Sequence, residues 1–238
     1  MNIVEFSSFD FALTSYCQAG CPTCARYNQK DGSLTIKPTH MDFNKFEIMF
    51  LSDLTIWKNK QILFCGEFGD PMMHPKVRDF IDVVMLSPCH SLKINTNGGI
   101  RSPKFYKQLV ERYDRLGFEF GIDGLTNDTN KYRYGVNTSL ALQNMQTAAK
   151  YISDSSSDSK SIVWKFLVFD YNYTEVPEVL KLAKKWGIKK VLIYINARDF
   201  HIISQTNLRR LSTAIKHLPM SKYNYDIVGE YRNEFELF

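Results

Sequence analysis

With 238 residues, 44% hydrophobic and 23% charged, the chain has the make-up of a water-soluble globular protein with enough length for one sizeable core. No apolar run reaches the roughly 18 residues that cross a bilayer, and residues 1–11 carry Glu5 and Asp10 where a secretory leader would be basic and then apolar, so a cytoplasmic protein without membrane contact is expected. The net charge of +5 is mild and its carriers, among them Lys184-Lys185, Lys189-Lys190, Arg209-Arg210 and Lys216, read as solvated helix faces; nucleic-acid binding is not indicated.

In chain order, Phe9–Ala12 is expected to form a first strand that runs directly into a cysteine-bearing segment. Asp42 is a good N-cap for a helix to about Ser52, with Phe46, Met49 and Phe50 on its apolar face. Ile62–Phe64 reads as a second strand, followed by a turn-rich stretch from Cys65 to Pro71. Val77, Phe80, Ile81 and Val84 give Lys76–Met85 a helical period, and Leu92–Asn95 forms a third strand ending at Asn97-Gly98-Gly99. Pro103 opens the next helix, where its missing N–H costs nothing. A fourth strand, Phe118–Ile122, ends at Asp123-Gly124; a helix over Leu140–Tyr151 and a polar loop, Ser153–Ser161, follow. Ile162–Phe169 is the fifth strand, Val176–Trp186 a helix and Lys190–Ile195 the sixth strand, with a last helix near Leu208–Leu218.

Six strand–helix repeats with connections of this length imply parallel strands and right-handed crossovers. Six units fall short of the eight in a closed barrel, so an α/β fold of the open, partial (β/α)6 TIM-like kind is expected over residues 1–195. Residues 196–238 are then a C-terminal extension covering part of the barrel. A doubly wound sheet would bring a glycine-rich turn after its first strand, and here that position holds cysteines.

Three of the five cysteines, Cys17, Cys21 and Cys24, form a C-x3-C-x2-C pattern. Thiolates are soft ligands suited to iron–sulfur clusters and to zinc. Three of them can hold three corners of a cubane cluster and leave one iron open, whereas an electron carrier normally has four. A structural zinc site would need a fourth ligand, for which His40 is a candidate.

This spacing at the end of a first strand resembles the radical S-adenosylmethionine (SAM) superfamily, and the similarity extends to about residue 195. Gly66-Glu67-Phe68-Gly69-Asp70-Pro71 resembles the family turn that binds the SAM amino group, with Asp70 in place of the usual Glu. Asn95 and Asn97 stand where family members contact SAM, and Asp123-Gly124 resembles a Ser-Ile-Asp-Gly pattern in which Gly121 replaces the Ser. Tyr132-Arg133-Tyr134-Gly135 is similar to a stretch whose Arg meets the SAM carboxylate. Thr23 departs from the bulky residue common before the third cysteine.

The resemblance implies a [4Fe-4S] cluster on Cys17, Cys21 and Cys24, reductive cleavage of SAM to a 5′-deoxyadenosyl radical, and hydrogen abstraction from a peptide, nucleotide or small metabolite. It also implies an external one-electron donor such as flavodoxin or ferredoxin. With no cysteine after Cys89, no auxiliary cluster is expected in residues 90–238. The alternatives are a non-catalytic iron–sulfur electron-transfer or sensor protein and a zinc-stabilised binding module.

Two further residues are candidates for the chemistry. Lys165 lies mid-strand, where an unpaired buried charge is costly, so it either snorkels to solvent or faces the lumen and meets a carboxylate of SAM or substrate. Cys65 either donates a hydrogen atom to a product radical or is a buried structural thiol. Cys89, His74, His90, His201 and His217 are assigned no chemistry, and Asp170, Tyr171, Asn196 and Arg198 are positional candidates for specificity.

Overall fold

In the computed structural model, residues 6–28, 30–152, 160–188, 190–195, 203–217 and 225–228 are described. Asn196, Arg198 and His201 lie outside them, as does most of the Ser153–Ser161 loop. The strands are β1 (Ser8–Phe11), β2 (Gln61–Phe64), β3 (Ser91–Thr96), β4 (Leu116–Gly121), β5 (Ile162–Val168), β6 (Lys190–Ile195) and β7 (Tyr225–Val228). The helices are α1 (Phe43–Leu51), α2 (Val77–Leu86), α3 (Pro103–Arg112), α4 (Thr138–Ile152), α5 (Val176–Lys185) and α6 (Gln205–Lys216).

All seven strands form one parallel sheet in the order β1-β2-β3-β4-β5-β6-β7. Among the described residues the sheet thus has one strand more than the six expected. The addition, β7, pairs through Val191 with Tyr225 and Tyr194 with Val228 and extends the sheet beyond β6. The fold class stands as an open α/β sheet of the partial-barrel kind.

Strand order explains where the cavity lies. Consecutive neighbours joined by right-handed crossovers place every helix on the same side of the sheet. Alternate residues of each strand therefore meet two different environments. Ile62, Phe64, Leu92, Ile94, Phe118, Phe120, Trp164, Phe166, Ile193 and Ile195 point to the helices and are fully buried. Leu63, Lys93, Asn95, Glu119, Lys165, Leu192 and Tyr194 take the opposite face and are only half-buried.

Local chemistry fixes the helix starts. The Asp42 side chain accepts from Lys45 N at α1, and Ser102 accepts from Phe105 N at α3, where Pro103 occupies the first turn. On α1, Phe46 and Phe50 are buried, and Phe50 stacks on Trp57 at 4.2 Å. Met49, expected on the same apolar face, instead points outward, because α1 packs on α2 and β1 through the Phe46–Phe50 side alone.

Candidate functional site

The chain leaving β1 turns at once into the cysteine loop, and the C-terminal ends of β1 to β5 surround a cavity of about 550 Å3. Cys17, Cys21 and Cys24 all line it, with Gly66, Gly69, Asp70, Asn95, Asn97 and Arg133. Cys65 and Lys165, the two candidates for chemistry, line it as well. Pro71 and Asp123 do not. Pro71 opens a buried 3-10 turn, and Asp123 lies one layer behind the wall.

Arg26 shapes the cysteine loop from inside. Its guanidinium, almost fully buried, donates to the carbonyls of Cys17 at 3.2 Å and Ala19 at 2.6 Å and to the Tyr27 hydroxyl at 3.1 Å. A buried arginine spent on loop carbonyls holds the backbone curled and leaves the thiols free to face the cavity. Asn97 donates from Nδ2 to Cys17 Sγ at 3.6 Å and accepts from Gln18 Nε2, which ties the end of β3 to the same loop.

The Tyr132–Gly135 segment closes over the loop from the other side. Gly20 N donates to Tyr134 O at 2.7 Å, and the Thr23 and Tyr132 hydroxyls are 2.8 Å apart. The small hydroxyl residue before the third cysteine thus has a partner that a bulky side chain would displace. Gly135 has φ +86°, and a Cβ there would lie 2.7 Å from Gln18 O, so the close approach needs glycine.

Asp70 is buried and its carboxylate is a clasp. Oδ1 accepts from Met72 N, and Oδ2 accepts from Thr96 Oγ1 and Asn97 N, all at 2.9 Å. It therefore joins the turn after β2 to the end of β3, and burial raises its pKa despite these bonds. Gly69 lets that turn press on the exit of β1, since a Cβ would fall 2.2 Å from Thr14 O.

Asp123, fully buried, accepts from Leu167 N at 2.9 Å through Oδ1 and pairs with Arg133 Nε at 2.7 Å through Oδ2. The pair holds Arg133 over Gly121, where a Cβ would meet the guanidinium nitrogen at 2.7 Å. A larger residue at Gly121 is thereby excluded: the arginine occupies the space. Asp123 thus reaches the cavity only through Arg133.

Lys165 does not snorkel to solvent. It faces the cavity and pairs with Glu119 of the adjacent strand β4, a carboxylate of the chain itself where the lumen-facing expectation looked to SAM or substrate. Parallel pairing sets Gly121 opposite Lys165, so Glu119, two residues earlier, reaches it diagonally on the same face. Cys65 also faces the cavity, and burial raises its pKa, with Asp10 and Glu67 contributing. Cys89 is buried at the far end of the sheet, against Arg115 and the end of α2. Asp170 caps α6 through Ser204 N and Asn207 Nδ2, while Tyr171 stacks on Phe169 at 5.0 Å.

Arg26, Glu119 and Asp10 were not anticipated as parts of this cavity. For Glu119 a signal existed in Phe118-Glu119-Phe120, a charge between two buried aromatics of a strand, which repeats in Trp164-Lys165-Phe166. Arg26 follows Cys24 by two residues, and nothing local marks it as the clamp of the loop.

Burial pushes the Cys17 thiol up to about 11, with Asp70 adding to it, and also raises Cys21. Metal binding must displace these protons. Among the described residues, no three His, Cys, Asp or Glu side chains converge tightly enough to hold a single metal ion. His40 is engaged elsewhere: its Nδ1 is 2.8 Å from Thr14 Oγ1 and its ring stacks on Tyr16 at 4.5 Å. Three thiols spread around a cavity suit a multi-iron cluster better than a tetrahedral zinc.

No protein-family model matches the chain. Solved structures do. SuiB of Streptococcus suis bound to S-adenosylmethionine superimposes with a TM-score of 0.65 over 97% of this chain and 52% of SuiB, at 12% identity. This chain shares the fold of that S-adenosylmethionine-binding protein. A second structure with it, native anSMEcpe with bound AdoMet, gives a TM-score of 0.63 over 88% of this chain and 59% of that one, at 15% identity. In sequence, the chain is 24% identical over 182 residues to a tungsten-containing aldehyde ferredoxin oxidoreductase cofactor-modifying protein of Pyrococcus furiosus. The alignment covers 76% of this chain and 49% of that protein, so the chain spans about half the length of the curated relative. No helix among the described residues is long and apolar enough to cross a membrane.

Proposed function

We propose that this chain is a radical SAM enzyme whose [4Fe-4S] cluster is held by Cys17, Cys21 and Cys24. The observation that carries the reading is that these three thiols line one cavity whose remaining wall offers polar groups suited to SAM. When bound, the cluster and SAM would supply a 5′-deoxyadenosyl radical able to take a hydrogen atom from an unactivated C–H bond.

The residues present fit both groups. Three soft sulfur donors leave one cluster corner without a protein ligand. Asn95 Oδ1 is buried on the cavity wall without a hydrogen-bond partner, an acceptor position for an ammonium or a ribose hydroxyl. Arg133, fixed by Asp123, offers its guanidinium to a carboxylate. Gly66 and Gly69 let the turn after β2 pack closely on neighbouring backbone, and Asp70 holds that turn in register with Asn97.

The chain's own part is to orient and to shield. Arg26 keeps the loop curled, the Tyr132–Gly135 segment covers it, and the Glu119–Lys165 pair lines the same cavity, where a substrate would stand. Peptide complexes of two neighbours, SuiB bound to precursor peptide SuiA and anSMEcpe bound to AdoMet and Cp18Cys peptide, favour a peptide among the substrate classes. An external one-electron donor such as flavodoxin or ferredoxin would reduce the cluster.

Anaerobic reconstitution with iron and sulfide, followed by dithionite and SAM, tests the reading. A brown protein that forms 5′-deoxyadenosine is expected, and the Cys17→Ala, Cys21→Ala, Cys24→Ala variant should form none. A cluster that binds yet never cleaves SAM with any reductant would favour the electron-transfer or sensor alternative. A colourless zinc protein would overturn both.

A further inference from the structure

On the outer, helical side of the sheet, a groove of about 700 Å3 runs between α3, α4 and the end of α5. Lys104, Lys107, Lys150, Lys184 and Lys185 line it, and no Asp or Glu is among its described lining residues. These lysines come from three separate stretches of sequence, and only the packing of three helices gathers them.

Ordinary helix electrostatics accounts for part of the cluster. Lys150 stands in the last turn of α4, and Lys184 and Lys185 in the last turn of α5, where cations offset the helix dipole. Lys107 pairs at 3.6 Å with Glu111, one turn further along α3, which leaves Lys104 as the exception. It occupies the first turn of α3, the positive end of that dipole, and it faces the other lysines. Gathering like charges this way opposes folding slightly, and a bound anion would reverse the sign of the effect.

The aromatic residues of the groove choose between kinds of anion. Single-stranded nucleic acid needs free ring faces on which bases can stack. Here the Tyr151 ring carries the Lys107 ammonium at 4.8 Å and the Lys150 ammonium at 5.8 Å, and Trp186 stacks on Trp164 at 6.0 Å. No arginine fork for phosphate or base edges is among the groove's described lining residues. What it offers is point charges on long aliphatic stems over an aromatic floor, which suits carboxylates alternating with apolar side chains.

We propose that this groove is a docking site for an acidic peptide segment of a partner protein. The proposal is independent of the cofactor chemistry, because the groove lies on the opposite side of the sheet from the cavity.

The full chain should bind a fluorescein-labelled glutamate–leucine peptide, measured by fluorescence anisotropy, with affinity falling about tenfold or more between low salt and ~0.3 M salt. The double variant Lys104→Glu, Lys185→Glu should weaken it by about tenfold or more, while Arg209→Glu, Arg210→Glu on exposed α6 stays within about twofold. Lys104→Gln, Lys185→Gln is the milder pair should charge reversal impair folding, checked by circular dichroism, and is expected to weaken binding in the same direction. Unchanged binding by the folded lysine variants would overturn the proposal, as would equal binding of a glutamine–leucine peptide. Tighter binding of an oligothymidylate in the same salt would overturn it in favour of nucleic acid.

Discussion

The two faces of one sheet carry opposite chemistry on the same strands. Toward the helices, Phe118, Phe120, Trp164 and Phe166 are completely buried. One residue along in each case, Glu119 and Lys165 face a cavity and stay partly exposed. In a closed eight-stranded barrel that inner face would be packed with branched apolar side chains. Here, with seven strands in an open sheet, it is lined by charge and polarity around the cysteine loop. The difference teaches that the helical face holds the fold while the inner face is organised for a ligand.

The comparison is tested most severely on the helical face. Phe120→Ala removes a fully buried ring in contact with Tyr106 and Phe118 and is expected to cost about 3–5 kcal/mol in urea unfolding. A loss under about 1 kcal/mol would mean that this face is not the main core. At the boundary between the faces, Arg133→Met would leave Asp123 buried with its charge uncompensated. A cost of roughly 3 kcal/mol is expected, together with weakened SAM binding by calorimetry. Retention of SAM affinity would remove Arg133 from the ligand wall.

On the inner face the expectation inverts. Lys165→Met breaks the pair with Glu119, but both side chains are partly exposed, at 30% and 16%. Screening limits the stability change to about 1 kcal/mol or less. SAM cleavage without substrate should persist, while coupled turnover of the physiological substrate falls. A stability loss as large as that of Phe120→Ala would erase the contrast between the faces.

The smallest effect concerns His74, behind the cysteine loop. Its Nε2 lies 3.1 Å from Met41 O, and its ring meets His40 edge-on at 4.9 Å. Burial lowers its pKa from 6.5, so below that value the unfolded chain binds a proton that the folded chain resists. Stability contributed by His74 is therefore complete above about pH 6.5 and declines as pH falls toward the folded-state value. His74→Gln should flatten that part of a pH–stability curve, and an unchanged slope would show that other groups set it.

Much of this was legible in the chain itself. The alternation of Leu-Lys-Ile, Phe-Glu-Phe and Trp-Lys-Phe has the period of strands and fixes which residues share a face. The cap at Asp42 and the proline at Pro103 set the helix starts, and the strands and helices lie close to their expected bounds. The cysteine spacing alone placed three soft ligands within eight residues in the segment after a strand. Such features are local, and local sequence is sufficient for them.

What only the tertiary structure decided is long-range. Asp70 and Asp123 are acids near strand ends in the sequence, and only packing shows that one clasps Thr96 and Asn97 while the other holds Arg133. Lys165 could be sent either to water or to the lumen until the register of β4 and β5 brought Glu119 beside it. The lysines read as scattered solvated charge become one groove because α3, α4 and α5 lie together on the sheet. In each case the deciding partner is many residues away, and a side chain's partner depends on which distant backbone the fold brings alongside it.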